Sequence, residues 1–161
     1  MSSEVETNTD QKSQEEAYQD FCCELDDPNH QIGPSDFVHL HNHTHYSLLD
    51  GLTKVPDLIG YVKEQGMQAV AVTDHGTMSS LIELYKEAKA AEIKPILGLE
   101  AYVAARSRFD RDPAYDKVRY HITLLSMNDQ GFENLCRLAT EAEVNGKYYK
   151  PRIDHEIMEK Y

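Results

Sequence analysis

The chain has 161 residues, 40% of them hydrophobic and 27% charged, and a formal net charge of −12. That length supports one domain with a real core. No run approaches the roughly 20 apolar residues of a membrane helix, the Ser/Glu/Gln-rich start does not read as a secretory signal, and no membrane partner is expected. Three cysteines, with Cys22 and Cys23 adjacent, form neither a disulfide framework nor a CxxC zinc pattern, so a reducing, cytoplasmic setting is expected.

Charge is unevenly spread. Residues 1–36 carry ten acidic side chains and one Lys, giving −9; residues 37–161 carry eighteen acidic and fifteen basic, giving −3. Bulk charge therefore gives no sign of a nucleic-acid-binding surface. The first 36 residues lack a periodic apolar pattern and read as a disordered acidic tail. The alternative is a short helix over 15–25, with Tyr18, Phe21, Cys22 and Leu25 at helical spacing.

Phe37–His41 reads as a strand, followed by a polar turn containing Asp50-Gly51. Val55, Leu58, Ile59 and Val62 fall on one helical face, with Pro56 in the first turn and Gly66 at the end. Ala69–Thr73 is a nearly all-apolar run, as in a strand covered on both faces. A helix over about 79–91 is expected to turn Leu81, Ile82, Tyr85 and Ala88 inward. A third strand begins at Pro95 and extends to Ala104, and 106–117 is a charged loop. A fourth strand spans 120–127. Asn128 or Asp129 caps a helix carrying Phe132, Leu135, Cys136 and Ala139 on one face, and Asp154 caps a last helix. This β-α-β-α-β-β-α order implies an α/β fold with a mainly parallel sheet or barrel.

Four histidines, His39, His41, His43 and His45, alternate in the first of these segments. In an extended run they share one side, and a row of imidazoles is costly to bury in a plain core. Sites in such folds gather at the C-terminal ends of strands. His41 and His43 end strand one, His75 follows strand two, Glu100 lies in strand three and His121 in strand four. Nitrogen and oxygen donors without thiolate suit Zn, Mn or Fe, and a Glu among several His can bridge two ions.

Each residue also has a plainer reading. Asp50 on local grounds is a turn residue, and Asp74-His75-Gly76 could be a helix cap followed by a turn. His121 could be a satisfied core histidine. His39 and His45 could orient the ligating rings or simply be exposed. Tyr148–Pro151 reads as a packed loop rather than a base-stacking platform.

The sequence His41-x-His43-Thr44, with Asp50-Gly51 and Thr73-Asp74-His75-Gly76, resembles the opening signature of the PHP (polymerase and histidinol phosphatase) family. The blocks Tyr46–Gly51, Gly66–Gly76, Ile93–Val103, Tyr120–Leu125 and Lys150–Asp154 resemble more closely the N-terminal region of the bacterial C-family replicative DNA polymerases. The resemblance covers about Phe37 to Tyr161.

It implies the N-terminal part of a distorted (β/α)7 barrel over 37–161, truncated before the last strands. It also implies up to three metal ions held by His41, His43, Asp50, His75, Glu100 and His121, so the turn reading of Asp50 gives way. No catalytic residue is separable from these ligands. The remaining ligands and the polymerase site, with its Mg, are expected beyond Tyr161.

For the whole protein the resemblance implies a DNA-directed DNA polymerase acting on DNA and deoxynucleotides. Sliding clamp, clamp loader and proofreading exonuclease are possible partners. For the module it implies metal-dependent phosphoester or 3′–5′ exonuclease hydrolysis, or a structural and docking role, and for this chain alone no activity. The alternative is a free-standing phosphatase acting on a small ester such as histidinol phosphate.

Overall fold

The computed structural model describes Gly33 and residues 36–161. The chain divides into Met1–Gly33 and Pro34–Tyr161, and every helix and strand described lies in the second unit. The expectations for the acidic segment, including the helix over 15–25, fall outside the described residues.

Eight elements follow Asp50. Helix α1, Val55–Glu64, buries Val55, Leu58, Ile59 and Val62, the face its periodicity predicts. Gly66 ends it at φ +74°, a backbone angle that glycine adopts without penalty. Strand β1, Ala69–Val72, is buried at all four positions. Helix α2, Leu81–Ala90, buries Leu81, Leu84 and Ala88. Ile82 (70% exposed) and Tyr85 (49%) face outward, contrary to the expected inward set. The packed ridge follows the i, i+3, i+7 row from Leu81, and the apolar side chains one step on miss it.

Strand β2, Lys94–Ala104, is the spine of the sheet. Its first half pairs in parallel with β1, from Ala69↔Lys94 to Val72↔Leu97. From Gly98 to Ala104 it pairs antiparallel with β3, Arg119–Leu125. It also pairs in parallel with the two-residue β4, Arg152–Ile153, at Tyr102 and Val103. The sheet is thus mixed rather than mainly parallel. The cause lies in the connection: β1 and β2 are joined through α2, whereas β2 returns to β3 through the charged loop 105–118, and no helix crosses over.

Helix α3, Asp129–Val144, starts at Asn128, whose side chain accepts the Gly131 N–H at 2.9 Å. It buries Leu135, Leu138 and Ala142, while Cys136, expected inward, is exposed. Helix α4, His155–Lys160, is capped as expected by Asp154, which accepts from the Ile157 N–H.

Two apolar clusters result. One joins α1, β1 and α2 through residues such as Val62, Val72 and Leu84. The other joins Leu99, Ala101 and Val103 of β2 to Leu138, Ile153 and Ile157. Each fully buried Leu or Ile among them contributes about 1.5–3 kcal/mol. The alternation of β2 then decides the site: Leu99, Ala101 and Val103 take the core face, and Glu100 and Tyr102 take the other.

Residues 37–41 do not form the expected strand. The segment makes one isolated parallel bridge, His39↔Val70, and donors of β1 and its extension reach the carbonyls of His39 (Ala71 N–H, 2.8 Å) and Asn42 (Thr73 N–H, 2.8 Å). The accepting carbonyls are thus three positions apart while the donors are two positions apart, so the ladder breaks where the histidines lie.

Candidate metal centre

Four neighbouring backbone segments deliver the site. The 39–42 segment lies along one edge of β1. The continuation of β1 bridges β2 at His75↔Glu100, with the Gly76 N–H donating to the Glu100 carbonyl (2.8 Å) and the Glu100 N–H to that of Asp74 (3.1 Å). On the other edge of β2, Glu100 lies opposite Thr123 and Tyr102 opposite His121. Because β3 runs antiparallel, its beginning meets the end of β2, and His121 arrives on the Glu100 face.

Glu100 is 4% exposed, and its two oxygens serve different pairs of imidazoles. His41 Nε2 and His43 Nε2 each lie 2.5 Å from Oε2. His121 Nδ1 lies 3.2 Å and His75 Nδ1 3.6 Å from Oε1. Among the described residues these donors form two groups spaced to hold a metal ion, His41/His43/Glu100 and His75/Glu100/His121. The structure therefore brings together five of the six residues singled out. Asp50 stands at the rim, its side chain 59% exposed and its Oδ2 3.9 Å from His75 Nε2. His39 stacks edge-on with Phe37 and His45 packs against Tyr46, and neither joins a group.

The donor set fits an ion on two further counts. His75 Nδ1 is buried with no hydrogen-bond partner among the described residues, an orphan that a bound ion would satisfy. Protonation also favours the ligating forms. Burial, then the neighbouring His43, holds His75 below its ordinary value against the pull of Glu100. Burial pushes Glu100 up, but hydrogen bonds from His41 and His43 outweigh it and hold the carboxyl low. Neutral imidazole and ionised carboxylate are the forms that bind metal.

Asp74, passed over as a ligand, is the strut of the site. It is fully buried and accepts the Thr44 N–H (2.7 Å), the Thr44 hydroxyl (2.8 Å), the Ser47 hydroxyl (2.6 Å) and the Ser80 hydroxyl (2.5 Å). It thereby ties the 44–47 turn to the start of α2. Ser47 Oγ also accepts the His75 N–H at 3.1 Å. Gly51 closes the same turn: a Cβ there would meet the Thr44 carbonyl oxygen at 2.1 Å. Leu49 at φ 72° precedes Asp50, a left-handed angle rare for a branched side chain.

Arg152 is a second residue whose role the sequence hid. It is fully buried, and its guanidinium donates to the carbonyls of Gly146 (3.0 Å), Asp116 (3.2 Å), Arg108 (3.1 Å) and Asp110 (2.8 Å). Arg108 in turn pairs with buried Asp154 at 2.8 Å. The charged loop is thus pinned from beneath, and its end leads into β3 and His121.

Open space flanks the donors. A cleft of about 500 Å³ is lined by Asp50, His75, Tyr102, Lys117, Arg119 and His121, with Lys150. A second, of about 530 Å³, opens beside Tyr46, Ser47, Asp50, His75 and Gly76. Among the described residues no helix is long and apolar enough to cross a membrane.

A mixed sheet carrying clustered histidines around one shared glutamate is the setting in which the family comparison falls. Residues 39–161 match the PHP domain model, and the chain belongs to that family. The chain is 48% identical over 132 residues to the DNA polymerase III subunit alpha of Aquifex aeolicus, covering 78% of this chain and 11% of that protein. To the DNA polymerase III subunit alpha of Thermus aquaticus it is 50% identical over 129 residues, with coverages of 78% and 11%. It therefore spans about a tenth of the length of these relatives. Among solved structures, an amidohydrolase from Chromobacterium violaceum aligns over 65% of this chain and 32% of its own, at 21% identity and a TM-score of 0.48.

Proposed function

We propose that this chain is the PHP module of a bacterial replicative DNA polymerase and that its His/Glu cluster holds divalent ions for phosphoester hydrolysis. The observation that carries the metal reading is the division of Glu100, one oxygen to His41 and His43, the other to His75 and His121. That is the arrangement expected of a carboxylate shared by two ions. Sequence identity to polymerase subunits supports the polymerase reading over a free-standing phosphatase.

In this reading His41 and His43 would hold one ion with Glu100, and His75 and His121 would hold another with the same carboxylate. Asp50 completes the set from the open side. Divalent ions bound there supply Lewis acidity toward a phosphoryl oxygen and a nucleophile at neutral pH. The chain's own contribution is geometric: Asp74 and Ser47 fix the His43 and His75 backbones, and the β2–β3 register fixes His121. The whole protein would carry out template-directed nucleotidyl transfer with its Mg held elsewhere, alongside clamp, clamp-loader and exonuclease partners.

Elemental analysis of the protein with and without His41→Ala plus His43→Ala tests the ligand assignment. A loss of bound metal is expected, and unchanged metal content would sink it. A preparation that keeps its metal but releases no nucleotide from a 3′-labelled oligonucleotide would assign the module a structural role.

A further inference from the structure

Three cations stand at the mouth of the candidate centre. Lys117 and Arg119 come from the end of the charged loop and the start of β3, and Lys150 from the segment before β4. Among the described residues none of them has a carboxylate within salt-bridge distance. The Arg119 guanidinium keeps one bond, from its Nη1 to the Lys117 carbonyl at 3.1 Å. Residues 37–161 carry a net charge of only −3, and three cations gathered on one cleft of so nearly balanced a segment form a local site for an anion.

Tyr102 is the common neighbour. The Arg119 guanidinium carbon lies 5.7 Å and the Lys150 Nζ 5.5 Å from its ring centroid, both within cation–π range. The same ring stacks on His75 at 6.0 Å and 20° and meets His121 edge-on at 4.9 Å. Gly76, at φ +64°, leaves the ring its room, since a Cβ would meet Tyr102 Cε2 at 2.9 Å. One aromatic side chain thus links the donors of the metal site to the cations, while the cations touch neither Glu100 nor Asp50. The donors His75 and His121 and the three cations line one cleft of about 500 Å³, with room for a ligand that meets both.

We infer that Lys117, Arg119 and Lys150 form a phosphate-binding rim that grips a nucleic-acid single strand at the phosphate next to the one held at the metal centre. This rests on the reading above that the site takes phosphoesters, and it makes the substrate a phosphodiester chain rather than a small monoester. Cations that neutralise strand phosphates release counterions, and the affinity falls with salt at a slope of about −0.7 per contact. Three contacts give a slope of about −2, or a roughly twentyfold loss between about 50 and 200 mM salt.

The test is fluorescence anisotropy of a labelled single-stranded oligodeoxynucleotide with the 161-residue chain, in chelator so that no ion is needed. The combined Lys117→Gln, Arg119→Gln and Lys150→Gln variant is expected to lose at least about tenfold in affinity and to flatten the salt slope. Lys63→Gln, Lys86→Gln and Lys89→Gln together remove equal charge from α1 and α2 and are expected to bind like the parent. Far-UV circular dichroism checks folding. Should the triple variant misfold, Lys117→Gln and Arg119→Gln singly, both at exposed positions, each lower the slope by about 0.7. Equal losses in both triple variants, no loss in either, no strand binding by the parent, or displacement by inorganic phosphate at equal phosphate concentration would overturn the rim. Metal content, measured separately, would stand or fall without it.

Discussion

Thr44 holds Asp74 twice, through its backbone N–H to one carboxylate oxygen and its hydroxyl to the other. The two residues are 30 positions apart, and between them lies the turn that carries His45 to Gly51. Removing the carboxylate in Asp74→Ala leaves four donors without an acceptor in a dry site, which costs about 3 kcal/mol or more. Asp74→Asn keeps one acceptor oxygen for the Thr44 N–H and offers an amide to hydroxyls that can rotate, so it loses roughly half as much. Urea unfolding of both variants checks the order, and an alanine variant as stable as the asparagine variant would contradict the strut.

Much of this architecture was legible beforehand, and the failures have common causes. Helix α1 and strand β1 were readable because their apolar residues repeat at helical and strand periods and both are covered as the pattern demands. Ile82 and Tyr85 misled because apolar side chains also occupy exposed faces, and only packing decides which row is buried. The alternating histidines suggested a continuous strand, yet the ladder breaks there and the rings reach Glu100 through a turn. Asp74 was hidden because its partners, Thr44, Ser47 and Ser80, come from elsewhere in the chain. Arg152 was hidden because its acceptors are backbone carbonyls, which leave no mark in the sequence.

Glu100 belongs to both donor groups, whereas His121 belongs to one. Glu100→Gln should therefore deplete bound metal more than His121→Ala does, by an expected factor of about ten or more in affinity against a partial loss. Elemental analysis after dialysis gives the stoichiometry. Added metal should raise the thermal midpoint of the parent and leave that of Glu100→Gln nearly unmoved, since an ion stabilises only the form that binds it.

Arg152 satisfies four carbonyls of the loop and its neighbourhood. Arg152→Met keeps the stem but strips the donors, leaving buried acceptors unpaired at a cost of about 3 kcal/mol or more. The expected readout is local: the 106–117 segment becomes a substrate for trypsin at Arg106, Arg108 and Arg111 while the α1–β1–α2 cluster stays protected. Uniform cleavage across the chain would argue against a pinned loop.

Acid should destabilise the metal-free protein in two stages. Burial lowers His75, so the unfolded chain takes up its proton first, and stability declines once pH falls below the ordinary histidine value of 6.5. Burial pushes Asp154 up, but the N–H groups of Arg108 and Ile157 and the Arg108 guanidinium prevail and hold it below the usual carboxylate range. Its contribution is intact above the ordinary carboxylate range and vanishes as pH drops through the folded value. Unfolding midpoints in urea from pH 7 to pH 3 should show both limbs. His75→Gln should remove the first, and Asp154→Asn should shrink the second, to which Glu100 also contributes.

The antiparallel return of β3 has a consequence for how this site tolerates change. His121 is positioned by its pairing with β2, counted back from the shared end of the two strands, and not by the number of residues in the loop that joins them. Segments spliced into or cut from the exposed stretch 111–115 would lengthen or shorten a tether without shifting the imidazole by a single register step. The metal donors are in this way insulated from the length of the loop, and that exposed stretch is the natural place to insert a reporter group.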